Sequence, residues 1–266
     1  MKIAFLGPRG SFSHHVAQAA FPSEDLVPYQ NITEVMKAYE AREVDYSVVP
    51  VENSIEGSVH ETLDYLFHQA DIQAVAEIVQ PIKQQLLVTD LEKPIEKIFS
   101  HPQAIAQAAI EVTASTAYAA RFVAEHPEKN FAAIAPRTAA AEYGLKVAAS
   151  DIQEMEENYT RFWILGHEVP KLQLTKTGDK QTLALTLPDN LPGALYKALS
   201  TFSWRGIDLT KIESRPLKTA LGEYFFIIDI DNEQKKLADF AYQELTSLGI
   251  TYKIFGSYSV FLIEDK

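Results

Sequence analysis

Four segments place hydroxyl, amide, carboxylate and guanidinium groups at the ends of predicted elements, where a small anion can be held by local donors. In Gly7-Pro8-Arg9-Gly10-Ser11-Phe12-Ser13, Ser11 and Ser13 stand at a helix start. Their hydroxyls and the free backbone N–H groups there make an anion site, unless the segment is only a tight βα turn. It matches neither the dinucleotide nor the P-loop glycine pattern. Glu52-Asn53-Ser54 follows an apolar strand and precedes a capped helix. That position is the carboxyl edge of a sheet, where open α/β folds bind ligands; a surface loop with ordinary capping is the other reading. Ser115-Thr116 repeats the arrangement, with plain N-capping as its alternative. Thr160-Arg161-Phe162 opens a strand in which Thr160, Phe162 and Ile164 share one face and Arg161, Trp163 and Leu165 the other. Thr160 and Arg161 therefore meet one ligand only if a strand end or bulge re-aims them. Otherwise Arg161 forms a buried ion pair with one of the many carboxylates. The histidines lack metal-ligand spacing and the serines lack any sign of a His/Asp triad, so no metal site is expected.

The elements that must position these groups alternate between strand and helix. Lys2–Leu6 and Tyr46–Val51 read as strands, and a helix covers about 14–20. Ser58 and Glu61 form a capping box before a helix whose buried stripe is Val59, Leu63, Leu66 and Phe67. Further strands are Leu86–Val88, Lys97–Phe99, Ala132–Ala135 and Tyr159–Leu165. Helices follow Gln103 and Ala117, and one more starts at Pro136 and stops at Gly144. Continuous apolar strands alternating with helices predict a parallel sheet covered on both faces, in two α/β lobes with a cleft between them. Residues 169–180, with Pro170, a Thr/Lys run and Gly178-Asp179, read as a linker. The remainder reads as Thr182–Leu187, helix Pro192–Phe202, Ile207–Ile212, Tyr224–Ile230, helix Glu233–Leu248 and Thr251–Phe261, a ferredoxin-like βαββαβ order. The expected division is 1–168, with one lobe of about 1–77 plus 159–168 and another of about 78–158; then the linker, then 181–266.

At 266 residues and 47% hydrophobic, the chain is comfortable as two domains and can bury a sizeable core. It has no cysteine, which removes disulfides and thiolate chemistry. The first 168 residues hold 12 basic and 24 acidic groups, residues 169–180 hold 3 and 1, and the remainder 9 and 11. Neither part has the basic footprint of a nucleic-acid binder. No stretch is long and apolar enough for a membrane span, and the opening apolar run is too short for a signal peptide, so the expected address is the cytoplasm.

Together the segments resemble those of prephenate dehydratases. The resemblance rests on 7–13, Val49-Pro50-Val51-Glu52-Asn53-Ser54-Ile55-Glu56-Gly57, His101-Pro102-Gln103-Ala104-Ile105-Ala106-Gln107, Ser115-Thr116-Ala117 and Tyr159–Phe162, in the family's order along nearly the whole chain. Gly193-Ala194-Leu195 and Glu213-Ser214-Arg215-Pro216 match the two effector motifs of an ACT domain. Ser11 stands where the family usually has Thr, and the stretch between Gln107 and Ser115 is shorter than usual.

The resemblance implies an α/β, two-lobed, type II periplasmic-binding-protein-like catalytic domain and a C-terminal ACT regulatory domain. It implies decarboxylating dehydration of prephenate to phenylpyruvate in phenylalanine biosynthesis, without metal or organic cofactor. Thr160, Glu52 and Asn53 would be catalytic, with Glu52 relaying a proton if burial keeps it protonated. Ser11, Ser13, Ser54, Ser115, Thr116, Arg161 and Phe162 would line the cleft, Phe162 as an apolar wall. Gly193, Ala194, Leu195, Glu213, Ser214, Arg215 and Pro216 would bind phenylalanine as inhibitor at the interface of a homodimer or homotetramer. The chain opens on its first strand, so a monofunctional enzyme is expected. Arogenate dehydration and a non-catalytic two-lobed binding protein with a sensor tail are the alternatives.

Overall fold

A computed structural model of the chain describes all residues except 101–109, 189–191, 219–222, 232–234 and 265–266. The expected helix after Gln103 therefore lies outside the described residues. The N-terminal part begins with β1 (Lys2–Leu6), α1 (Phe12–Ala20), β2 (Asp25–Tyr29), α2 (Ile32–Glu40) and β3 (Tyr46–Asn53). β1 pairs in parallel with both β2 and β3, as buried apolar runs joined by helices should. Ser11 caps α1 from an extended conformation, its Oγ accepting from the His14 N–H at 3.2 Å.

The short β4 (Gly57–Ser58) leads into α3 (His60–His68). Here the expected capping box is absent: Val59 is the N-cap and gives no side-chain bond. Ser58 is pulled away because its hydroxyl donates to Glu213, and Glu61 instead accepts from Thr33. Next come β5 (Ala74–Pro81) and a second layer formed by β6 (Gln85–Val88), β7 (Lys97–Ser100), β8 (Ile110–Val112), α4 (Thr116–Glu125), β9 (Phe131–Ala135), α5 (Arg137–Tyr143) and β10 (Lys146–Ala149). Its strands run in the order β10-β6-β9-β7-β8 over an alanine-rich core under α4 and α5. Small residues let these helices sit close to the sheet. β8 lies within the stretch between Gln107 and Ser115 that is shorter than usual.

The chain returns to the first sheet through β11 (Tyr159–Leu165), which lies antiparallel between β3 and β5. The remainder is β12 (Thr175–Thr186), α6 (Ala194–Ser203), β13 (Leu209–Pro216), β14 (Tyr224–Asp231), α7 (Lys235–Ser247) and β15 (Thr251–Leu262), the ferredoxin-like order. The linker expectation requires correction. Residues 175–180 belong to β12 and pair with β15, so only the stretch before Thr175 lacks strand structure. Their polar composition reads as a loop, yet an antiparallel ladder needs only main-chain partners.

The tail is not a separate body on a tether. β15 pairs in parallel with β5, so among the described residues ten strands form one sheet, β13-β14-β12-β15-β5-β11-β3-β1-β2, with β4 beside β3. One hydrophobic cluster likewise spans the seam, joining Leu66 and Trp163 to Phe225, Ile227, Phe255 and Tyr258. Phe67 and Phe225 stack across it with centroids 3.8 Å apart. At Gly256 a Cβ would stand 2.3 Å from the Ala74 carbonyl oxygen, so only glycine lets the two strands close. Gly256→Ala must push β15 from β5 and is expected to cost about 1–3 kcal/mol. An unchanged urea midpoint would show that the seam yields freely.

Candidate active site

Thr160 and Asn53 face each other across the β11–β3 pair, next to the end of the ladder. The Asn53 amide is held in one orientation by both of its ends. Oδ1 accepts from the N–H groups of Ile55 (2.9 Å) and Glu56 (3.1 Å), an Asx-type turn that ends β3. Nδ2 donates to Asn158 Oδ1 (2.8 Å), to the Tyr159 carbonyl (3.2 Å) and to Thr160 Oγ1 (2.9 Å). The Thr160 oxygen is thus an acceptor, and its own proton is left for another group. Ser54 pins the same corner: its Oγ accepts from the Tyr159 N–H (3.0 Å) and donates to the Glu157 carbonyl (3.3 Å).

Strand alternation sends the neighbouring residues the other way. Arg161 meets Glu52 by register, and its Nη1 donates to Glu52 Oε2 at 2.6 Å. Nε and Nη2 donate to the two oxygens of fully buried Glu77 at 3.0 and 2.7 Å. Asp229 Oδ2, from the tail, lies 2.7 Å from Nη2. Burial opposes the Arg161 charge, but Asp229 and Glu77 overcome that and raise its pKa well above the usual value. Arg161 thus has Glu52, Glu77 and Asp229 as its charge partners, the buried ion pair that its strand face allowed.

Glu52 changes role for the same reason. Burial pushes its carboxyl up, but Lys211 at 2.9 Å and Arg161 at 2.6 Å outweigh this and hold it below its ordinary value of 4.5. These two cations favour the ionised form, so the burial that was to keep Glu52 protonated for a proton relay is outweighed here. Phe162, on the Thr160 face of the strand, is 2% exposed and packs in the core with Phe5, Val16 and Ile78.

Ser13 is buried beside the capping hydroxyl of Ser11, which also donates to the Leu6 carbonyl (3.2 Å). Their loop touches the second layer, where Tyr143 Oη donates to the Arg9 carbonyl (2.6 Å) and Thr138 Oγ1 to the Gly10 carbonyl (3.4 Å). Ser115 caps α4, accepting from the Tyr118 N–H at 3.1 Å; Thr116 is half-buried in its first turn. In the tail, Gly193 precedes α6, whose first residues are Ala194 and Leu195, and Ser214 and Pro216 are exposed on β13. Glu213 and Arg215 point instead toward the N-terminal part: Glu213 accepts from Ser58, and Arg215 Nη2 donates to Asp64 at 2.8 Å. Their side chains are thus engaged with the N-terminal part.

Burial also pushes Asp64 up, but Lys218 and Arg215 hold it below its ordinary 3.8. Glu52 and Asp64 both have lowered folded-state values, so the stability they contribute is present above the unfolded values and lost as pH falls through the folded ones. The urea midpoint should fall as pH drops from about 5 to about 3; a flat midpoint over that window would contradict the two ion pairs.

Asn158, Glu77, Lys211, Asp229 and Tyr143 lie outside the motifs of the sequence. Asn158 had a signal, since it lies two residues before Thr160 and so on the same strand face. Glu77 had another, as the one carboxylate in the run Ala74–Pro81. Among the described residues no group of three or more His, Asp or Glu is arranged to hold a metal ion.

A family model described as prephenate dehydratase matches residues 3–170. The chain is 50% identical over 278 residues to the prephenate dehydratase of Lactococcus lactis subsp. cremoris strain MG1363, covering all of both chains. The solved structure of prephenate dehydratase from Streptococcus mutans is 51% identical, with a TM-score of 0.69 over 98% of this chain and 99% of that one. The prephenate dehydratase of Arthrobacter aurescens in complex with L-Phe is 32% identical, with a TM-score of 0.83 over 97% and 89%.

Proposed function

This chain belongs to the prephenate dehydratase family, and we propose that Thr160, oriented by Asn53, assists the departure of the prephenate hydroxyl. The enzyme converts prephenate to phenylpyruvate, carbon dioxide and water in phenylalanine biosynthesis. Prephenate carries two carboxylates and a hydroxyl on a cyclohexadiene ring. Losing carbon dioxide and hydroxide together makes the ring aromatic, so the drive is built into the substrate. One proton is consumed as the hydroxide becomes water. The protein must hold both carboxylates, keep water out and stabilise charge on the leaving oxygen.

The Asn53 Nδ2–Thr160 Oγ1 hydrogen bond carries this reading. With its oxygen accepting, the Thr160 hydroxyl points its proton outward as a donor that strengthens as charge develops. A threonine is too weak an acid to give that proton up outright, and the cations beside Glu52 favour its ionised form. The helix starts at Ser11/Ser13 and Ser115/Thr116 supply N–H groups suited to the substrate carboxylates. Residues 1–168 form the catalytic part, with the β6–β10 layer as the lobe that closes over the first.

The tail is an ACT domain that binds phenylalanine and lowers activity. Gly193, in the left-handed conformation (φ +70), lets backbone approach a ligand at the start of α6, with exposed Ser214 and Pro216 as further contacts. Tyr196 (73% exposed) and Trp204 (70%) offer apolar surface for a homodimer or homotetramer. The chain works in the cytoplasm.

Purified full-length protein incubated with prephenate should produce phenylpyruvate, read by absorbance in alkali, and millimolar phenylalanine should slow it. Binding of prephenate without product would leave a binding protein. Calorimetry without a phenylalanine signal at millimolar ligand would remove the sensor role.

A further inference from the structure

We propose that Lys211 and Asp229, both in the tail, are positioning residues for the dehydratase site, acting through Glu52 and Arg161 on the two strands that carry Asn53 and Thr160. The inference rests on the reading of Thr160 and Asn53 given above and adds to it the parts that hold them in place.

The two strands present consecutive residues to opposite sides. Asn53 and Thr160 bond to each other, and one position away Glu52 and Arg161 do the same. Any shift of the second pair is passed directly to the first through a single peptide unit. The tail grips that second pair on both sides. Glu52 has one oxygen on Arg161, and its other oxygen, Oε1, lies 2.9 Å from Lys211 Nζ of β13. Arg161 Nη2 lies 2.7 Å from Asp229 Oδ2 of β14, a charge contact at a buried oxygen without hydrogen-bond geometry.

Asp229 is itself fixed from behind. Its Oδ1 accepts from Thr182 Oγ1 of β12 at 2.7 Å, and Thr182 shares a 2.6 Å hydrogen bond with the buried Tyr258 of β15. A chain of polar contacts thus runs from β15 through β12 and β14 to Arg161. Around the two cations Arg161 and Lys211 the network holds four carboxylates: Glu52, Glu77, Asp229 and Glu213, the last 3.4 Å from Lys211 Nζ. In a buried setting such groups have few alternative arrangements, so loss of one partner moves the others. Hydrophobic packing alone would hold the tail on the sheet; these contacts additionally set where the strand ends lie.

The test uses full-length protein and four variants: Lys211→Met, Lys211→Arg, Asp229→Asn and Lys211→Met/Asp229→Asn. Displacing Thr160 by a fraction of an ångström should lower kcat about tenfold or more in Lys211→Met and in Asp229→Asn, with KM within about threefold of wild type. Lys211→Arg, which keeps the cation at Glu52, should recover most of kcat, and the double variant should lose less than the product of the single losses, because both act on one pair. Lys211 lies on an edge strand with its side chain 13% exposed, so Lys211→Met tests the idea even if Asp229→Asn fails to fold. Folded Lys211→Met with wild-type kcat would overturn the proposal, as would a change confined to thermal stability. Wild-type protein that makes no phenylpyruvate would instead remove the dehydratase reading beneath it.

Discussion

Thr160→Val should lower kcat for prephenate by about 10²–10³-fold or more, the cost of removing one donor aimed at developing charge. Valine keeps the branched shape that suits a strand, and Thr160 is 9% exposed, so the fold and KM should stay near wild type. The loss falls on kcat because the hydroxyl proton is unclaimed in the resting site and matters most when the substrate oxygen leaves. Thr160→Ser, which keeps the donor, should retain most of the turnover. Steady-state formation of phenylpyruvate measures both variants. A folded Thr160→Val within tenfold of wild type would end the assignment of Thr160.

The second large effect is on stability. Arg161→Met should cost about 3–5 kcal/mol in urea unfolding, because it strands buried carboxylates without their cation. Glu77 is fully buried, accepts two bonds from Arg161 and one from Trp163 Nε1 at 3.0 Å, and would keep only the indole donor. Asp229 would keep its Thr182 bond and lose its charge partner. A loss below about 1 kcal/mol would mean that the carboxylates find other compensation in the folded chain. The same substitution tests the seam, since Arg161 joins β11, β5 and the tail at one point.

Ser115 as a helix cap, Pro136 and Gly144 as helix ends and the split of Thr160 from Arg161 are all legible in the amino-acid sequence. Each depends on atoms within a few residues, where spacing alone sets which groups can meet. The Ser58–Glu61 box shows how such a local rule loses: both groups could have capped α3, but Glu213 and Thr33 reach them first. The Thr/Lys run before Gln181 shows the complementary error, since a polar strand has the composition of a loop until β15 supplies its ladder.

By itself, then, the sequence determined the strand–helix alternation at β1, β3, β9 and β11, though not β2, α2, β5 or β10, together with the ferredoxin-like pattern of the tail and the motifs that identify the family and reaction. These follow from periodicity and from short runs of neighbouring residues. Only the tertiary structure decided what Glu52 and Arg161 do. Lys211 is 159 positions from Glu52 in the sequence, and no local signal marks which carboxylate a distant cation will find. Strand alternation turns the motif residues to opposite sides of the sheet, and the joining of β15 to β5 brings the tail's charges to one of those sides. Asn53 and Thr160 thereby bond to each other on one side of the β3–β11 pair, while Glu52 and Arg161 meet the tail's charges on the other.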